Sequence, residues 1–357
     1  METMIIKNLY ILLFSLMLFA CVKDKPNPDV QTVSINNNRK IVVLNEGSFN
    51  NYSAEISLID LENNSTTNNV FKNVNQQILG DVAQHISIIN NQYYITINNS
   101  NKIVVLDTNF QLTSVINNIL FPRYITQISN EKAYISCMYF PYVFVLNLQT
   151  NSISDTIKTD FANTENMLVV NNEVWICNWD TACNYIYIVD KFSNEIKEKI
   201  TINGYAPHNI LQDKNGMIWV LSGNKYKNKF SYLTQINPIN KTILKKFTFS
   251  ANDDPIKISF NNSKDELYYI NVNYNGQSTN NGLYKIKIDD IKLPINPLIS
   301  APTNTYFWAV AIDPITSNIF LSDPKGFTQN STIYQYNEEG KLLQTFQTGI
   351  GSNQFLF

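Results

Sequence analysis

Two histidines and four cysteines in a chain of 357 residues offer little for metal or nucleophilic chemistry, and neither a C-x-x-C nor an H-E-x-x-H spacing occurs. The chemistry on offer is recognition: 20 Tyr, 20 Phe and 4 Trp, many set among amide side chains in segments that read as loops. Rings give contact area at small entropic cost and amides give directed hydrogen bonds, a combination that holds a large, flat, partly polar small molecule. The residues singled out for such a site are Asn45, Phe49, Gln84, Asn99, Arg123, Tyr139, Phe140, Tyr142, Trp179, His208, Tyr226, Trp308 and Phe327. Glu46, Tyr52, Asp81, Asn98, Tyr124, Met138, Glu165, Asn166, Tyr185, Asn209, Lys225, Tyr274, Tyr306 and Asp323 fall on the same presumed face. Tyr139, Phe140 and Tyr142, within MYFPY, are the least core-like, because three such close rings cannot all turn inward. A preformed pocket binds without a catalytic group, so no catalytic residue, metal or resident cofactor is expected.

The elements that must position these residues are strands. Short apolar or alternating runs closed by Asp or Asn recur at Asp60, Asp107, Asn147, Asp190, Asn237, Asp289 and Asn337. Such a residue bonds the backbone two positions on and opens the next hairpin. A second ladder keeps step with the first: IVVLN (Ile41–Asn45), QYYITI (Gln92–Ile97), KAYISC (Lys132–Cys137), EVWICN (Glu173–Asn178), MIWVLS (Met217–Ser222), ELYYIN (Glu266–Asn271) and NIFLSD (Asn318–Asp323). The period, roughly 40 to 50 residues, is that of a four-stranded propeller blade. The expected fold is therefore all-β: a seven-bladed β-propeller of four-stranded antiparallel blades. Blade one lacks a local innermost strand, and Gly351–Phe357 is expected to supply it beside Ile41–Asn45, closing the ring and removing its open edges. Its outer strand is expected near Thr66–Phe71, and blades two to seven near 81–118, 122–160, 163–203, 206–250, 254–300 and 305–350. Loops between blades, and between second and third strands, then gather on one top face, with long inserts at Gly223–Phe230 and Asn273–Gly282. Tyr134, Trp175, Trp219 and Phe320 belong to second strands and are expected in the core. Asp213–Gly216 (DKNG) reads as a hairpin turn, and the abundance of Asn as a compositional bias of the source.

A net charge of −2 and a sequence pI near 5.8, with no basic run, provide no phosphate-neutralising stripe, which sets nucleic acid aside. Met1–Ala20 is a secretory signal by build: too short to span a bilayer, with an apolar run of about a dozen residues. Leu18-Phe19-Ala20-Cys21 resembles a bacterial lipobox, in which Cys21 is lipidated and anchors the protein. Residues 21–33 then read as the lipidated Cys and a polar, Pro-containing tether, and 34–357 as the propeller. Lys23-Asp24 resembles a surface-export signal, which implies an outer-membrane lipoprotein facing the cell exterior.

The lipobox, VLNEGSF at Val43–Phe49, DVAQ at Asp81–Gln84, NNSNKIVVLD at Asn98–Asp107 and PRYI at Pro122–Ile125 together resemble the YncE-like, DUF5074-type propeller lipoproteins of Bacteroidota. The resemblance extends over almost all of the mature chain. Its BtuG-like branch captures corrinoids over a TonB-dependent cobalamin transporter. The resemblance thus implies a surface lipoprotein that binds cobalamin or another corrinoid and passes it to such a transporter. His208, in a Pro-His-Asn turn, is read as capping backbone rather than ligating cobalt.

Two readings from other classes compete. One is a glycan- or protein-binding scaffold using the same face. The other is a metal-dependent lactonase or hydrolase, for which Glu46, Glu165, Asn178, Asp254 and Asp323 would have to converge on a cation. Cys137, Cys177 and Cys183 leave a Cys177–Cys183 bridge, a Cys137–Cys183 bridge and free buried thiols all open.

Overall fold

The computed structural model describes residues 39–274 and 280–357. The signal segment, Cys21, the tether and five residues of the blade-six insert lie outside the described residues. From Arg39 the chain forms seven four-stranded antiparallel sheets in a ring. Six are built from consecutive strands. Blade one takes its innermost strand, Ser352–Leu356, from the far end of the chain, and Phe355 stands opposite Val43 in the pairing. The expected fold and its closure are both present.

Both faces of each blade are covered by neighbouring blades, which is why the second strands read as near-continuous apolar runs. Tyr94, Tyr134, Trp175, Trp219, Tyr268 and Phe320 occupy corresponding positions on six of them and are fully buried. Each contributes roughly 1.5–3 kcal/mol by leaving water. The core is consequently a set of apolar clusters in the seams, each drawing on adjacent blades.

The hairpins follow from Asp and Asn chemistry. The side chains of Asp60, Asp107, Asn147, Asp190, Asn237 and Asn337 each accept backbone N–H groups two to four residues on. Asp289 differs, because Asp290 takes that role with the Lys287 N–H. Among the described residues, fourteen of the 26 non-glycine residues with positive φ are Asn. With only 11 Gly in the chain, Asn supplies the left-handed turns, so its abundance has a conformational use that a compositional bias does not express. DKNG is a hairpin turn: Asp213 Oδ1 caps Asn215 and Met217, while Oδ2 takes Trp219 Nε1 at 2.8 Å.

Blade one departs from expectation at its rim. Its outer strand is only Ser65–Thr67, and Val70–Asn75 forms a short helix. The Glu55 carboxylate accepts the Phe71 and Lys72 N–H groups at 2.8 and 3.1 Å, while Val70 and Phe71 fill the seam toward blade two. That burial outweighs continuation of the strand.

A clasp holds the start of the wheel. The Arg39 guanidinium reaches the buried Asp313 carboxylate of blade seven within 2.6 Å, and Thr316 and the Ile315 N–H bond the same carboxylate. Burial alone would raise the Asp313 pKa, but the bonds from Arg39, Thr316 and Ile315 outweigh it and hold the carboxyl low. Because the folded pKa lies below the unfolded one, the stabilisation is present above the ordinary Asp value and fades as pH falls through the depressed one. Arg39→Ala is expected to cost about 2 kcal/mol near neutrality. The difference from wild type should shrink in acid, measured as urea midpoints at pH 7 and pH 3; an unchanged midpoint at pH 7 refutes the clasp.

Candidate functional site

Six innermost strands begin with a shared pattern: AQHI at Ala83–Ile86, PRYI at Pro122–Ile125, TENM at Thr164–Met167, PHNI at Pro207–Ile210, PIKI at Pro255–Ile258 and SNQF at Ser352–Phe355. A small residue or proline starts the strand, an apolar residue anchors it in a seam, and two residues of varied chemistry stand between. In all six the pairing register slips within this pattern. A bulge leaves a residue outside the ladder and re-aims its side chain. Gln84, Arg123, Glu165, His208 and Ile256 stand at these slips and, with Trp308 of blade seven, line one cavity of about 350 Å³.

The cavity has two unlike walls. Along blades two to four, Arg123 forms a two-pronged pair with Glu165, at 2.8 and 3.1 Å, and also donates to Gln84 Oε1. Burial raises the Glu165 pKa even against the pull of Arg123; the guanidinium, opposed by burial but outweighed by the Glu165 charge, stays cationic. Along blades five to seven the wall is aromatic. Tyr226, Tyr274 and Tyr306 step ring to ring at 5.7 and 5.3 Å, and Trp308 meets Phe327 edge-on at 5.2 Å. Trp179 closes the arc over His208, its indole N–H donating to the Gly223 carbonyl at 3.3 Å. His208 Nδ1 lies 3.2 Å from the Ala206 carbonyl. Burial lowers His208 to about 4 and His85, deeper in the channel, to about 3, so both rings are neutral at physiological pH.

Of the residues singled out from sequence, Gln84, Arg123, Trp179, His208, Tyr226, Trp308 and Phe327 come together here. The others are placed elsewhere. Asn45 is wholly buried in the closure, donating to the Glu55 carbonyl and Ser57 Oγ and accepting from Ser352 Oγ. Asn99 ties loops together through Asn50 and Asp81. Phe49 is exposed in the turn closed by the Asn51 N–H and Ser48 carbonyl. Tyr139, Phe140 and Tyr142 form a blade-three cluster of their own, with Tyr139 edge-on and Phe140 stacked against Phe121, and Tyr142 stacked on Phe140. Ile256 and Lys257 were not singled out; the repeated four-residue pattern, which sets them level with Arg123 and Tyr124, is the signal that marks them.

Cys137, Cys177 and Cys183 are free and buried, which removes both bridges from consideration. Burial pushes Cys137 and Cys183 up to about 12, so neither is a reactive thiol.

Residues 40–353 match the family model described as "Domain of unknown function (DUF5074)". The chain belongs to the DUF5074 family. Among curated proteins none matches the sequence of this DUF5074 propeller. Among solved structures, a quinonprotein alcohol dehydrogenase-like protein from Bacteroides thetaiotaomicron superposes with a TM-score of 0.70 at 14% identity, covering 90% of this chain and 78% of that one. The periplasmic gluconolactonase of Pseudomonas aeruginosa superposes with a TM-score of 0.65 at 9% identity, covering 89% and 99%. At these identities the likeness is one of fold. As for the acidic set weighed for a cation, no three His, Cys, Asp or Glu side chains are grouped to hold one among the described residues. Glu165 is tied to Arg123, Asp323 to Lys325, and Asn178 donates to the Phe161 carbonyl.

Proposed function

We propose that this DUF5074 protein captures a flat, amide-bearing small molecule at the mouth of its channel. A corrinoid such as cobalamin is the ligand proposed. Held on the outer membrane by a lipid on Cys21 and facing the exterior, the protein would pass it to a TonB-dependent transporter. The observation carrying this reading is the division of the cavity into an aromatic arc and a hydrogen-bonding wall. A planar ligand laid on Tyr226, Tyr274, Tyr306 and Trp308 would meet Arg123, Glu165 and Gln84 with its polar edge. At about 350 Å³ the cavity takes one edge of a corrinoid; the macrocycle would rest on the rim, where Tyr226 is 73% exposed. Binding needs no catalytic group, and most of the polar wall is already held in place by its own hydrogen bonds, which limits the ordering cost of capture.

Calorimetry of the purified protein with cyanocobalamin tests the reading. Trp179→Ala is expected to weaken capture about ten-fold or more, whereas Tyr139→Ala, outside the cavity, should leave it unchanged. No heat at micromolar concentrations would shift the reading to a glycan scaffold, for which the exposed Tyr226 and Tyr274 rings are the relevant platform. Equal losses in both variants would move the site toward blade three.

A further inference from the structure

We propose that the floor of the cavity is a receptor for a primary carboxamide, with Lys257 Nζ donating to its carbonyl oxygen and Glu46 accepting from its N–H. The proposal rests on the cavity being a ligand site, and it names the chemical group recognised there.

Four observations lead to it. The cavity is lined by three acidic and three basic side chains, Glu46, Glu165 and Asp254 against Arg123, Lys225 and Lys257. Arg123 is paired with Glu165, the field of Lys225 acts on Asp254, and that of Glu46 acts on Lys257. Such a lining gives no net attraction to a charged group, and favours a neutral one with strong dipoles.

Second, the Lys257 ammonium makes one hydrogen bond among the described residues, to the Asn353 carbonyl at 2.7 Å, while lying 5.7 Å from the centre of the Trp308 ring. An ammonium has three donors, and two remain. Third, among the described residues Glu46 is engaged through Oε1 alone, by Trp308 Nε1 at 3.2 Å and Asn353 Nδ2 at 2.9 Å, which leaves Oε2 an open acceptor there. Fourth, Asn353, at the bulge of the closing strand, is buried beside both, and its Oδ1 has no partner among the described residues. Its Nδ2 is fixed by Glu46 and by the carbonyls of Ala83 and Gln84. Open donors and open acceptors therefore gather around the buried Asn353, where unmade hydrogen bonds are costly. A primary carboxamide carries the complementary pair on one planar group. A carboxylate would satisfy Lys257 and oppose Glu46.

Nicotinamide is the probe, since its ring suits Trp308 and its amide suits the floor; nicotinate is its control. With the full chain labelled with nitrogen-15, four indole N–H signals are expected, and nicotinamide should shift that of Trp308 while leaving those of the buried Trp175 and Trp219 in place. Binding at millimolar concentrations, at least ten-fold tighter than nicotinate, is the expected result, with the preference lost in Lys257→Met. Burial lowers Lys257 to about 8, with Glu46 opposing the shift and Arg123 adding to it, and the neutral His85 lies within the same field. Affinity should hence decline as pH rises through that value in the wild type and stay flat in Lys257→Met. Nicotinate binding as well as nicotinamide, or no movement of Trp308 with either, overturns the proposal. Nicotinamide binding that cyanocobalamin does not displace would leave the amide receptor standing and reject the corrinoid.

Discussion

A chain ending at Gly351 is expected to lose its cooperative fold. Ser352–Leu356 supplies the innermost strand of blade one, pairing Val42, Val43, Leu44 and Asn45. Ser352 also ties blade one to blade seven, taking the Ser322 hydroxyl on its carbonyl and giving its N–H to Ser331 Oγ, while its hydroxyl donates to Asn45 within blade one. Phe355 packs against Phe320 in the last seam. The lost ladder bonds at about 1 kcal/mol each and the unburied ring at roughly 2 kcal/mol total about 5 kcal/mol or more, against a typical margin of about 5–15 kcal/mol. The truncation would also expose the edge of Lys40–Asn45 to pairing with other chains. Thermal melting and limited proteolysis read the outcome: a truncated protein that melts in one transition within a few degrees of wild type would mean that the ring does not depend on its closing strand.

The second large effect is expected at Arg123. The Glu165 side chain is almost wholly enclosed and that of Arg123 largely so, so Arg123→Ala leaves a buried carboxylate and a half-buried Gln84 amide without their partner. The cost is about 3–5 kcal/mol, and capture of cyanocobalamin should fall below detection. Removing both charges separates the two roles. Arg123→Met with Glu165→Leu is expected to recover most of the lost stability without recovering capture, measured by denaturant midpoint and calorimetry. Recovery of both would make the pair structural only; failure of the double variant to regain stability would show that the pair is more than mutually compensating.

The wheel was legible because its signals are local and repeated seven times. Trp175 and Trp219 recur within apolar second strands, and Asp60 or Asp107 close third strands with the same backbone bond. Even the missing strand of blade one could be found, because a ring has to be completed by something. The site was harder to read. Loops were counted as the face that carries function, and that reasoning found Trp179 and Tyr226, which do stand on loops. It also gathered Tyr139 and Phe140, whose partner Phe121 lies on the neighbouring loop, and Asn45, which the closure consumes. Loop residues can face the channel, a neighbouring loop or solvent, and no rhythm in the sequence distinguishes these. The channel residues do have a rhythm, one bulge in each of six innermost strands, with blade seven the exception. Lys257 is recognisable only when PIKI is aligned with PRYI and PHNI.

The clasp at Arg39 has a mechanical meaning. The strand Lys40–Asn45 runs toward Glu46 at the cavity, so Arg39 stands on the opposite face, beside the Asp313 turn of blade seven. Were Cys21 acylated, the 18 residues from 21 to 38 would join the lipid to the ring at Arg39 and could stretch at most about 60 Å. Any pull along that leash would fall first on Arg39 and its pair with Asp313, before it could peel Lys40–Asn45 from blade one.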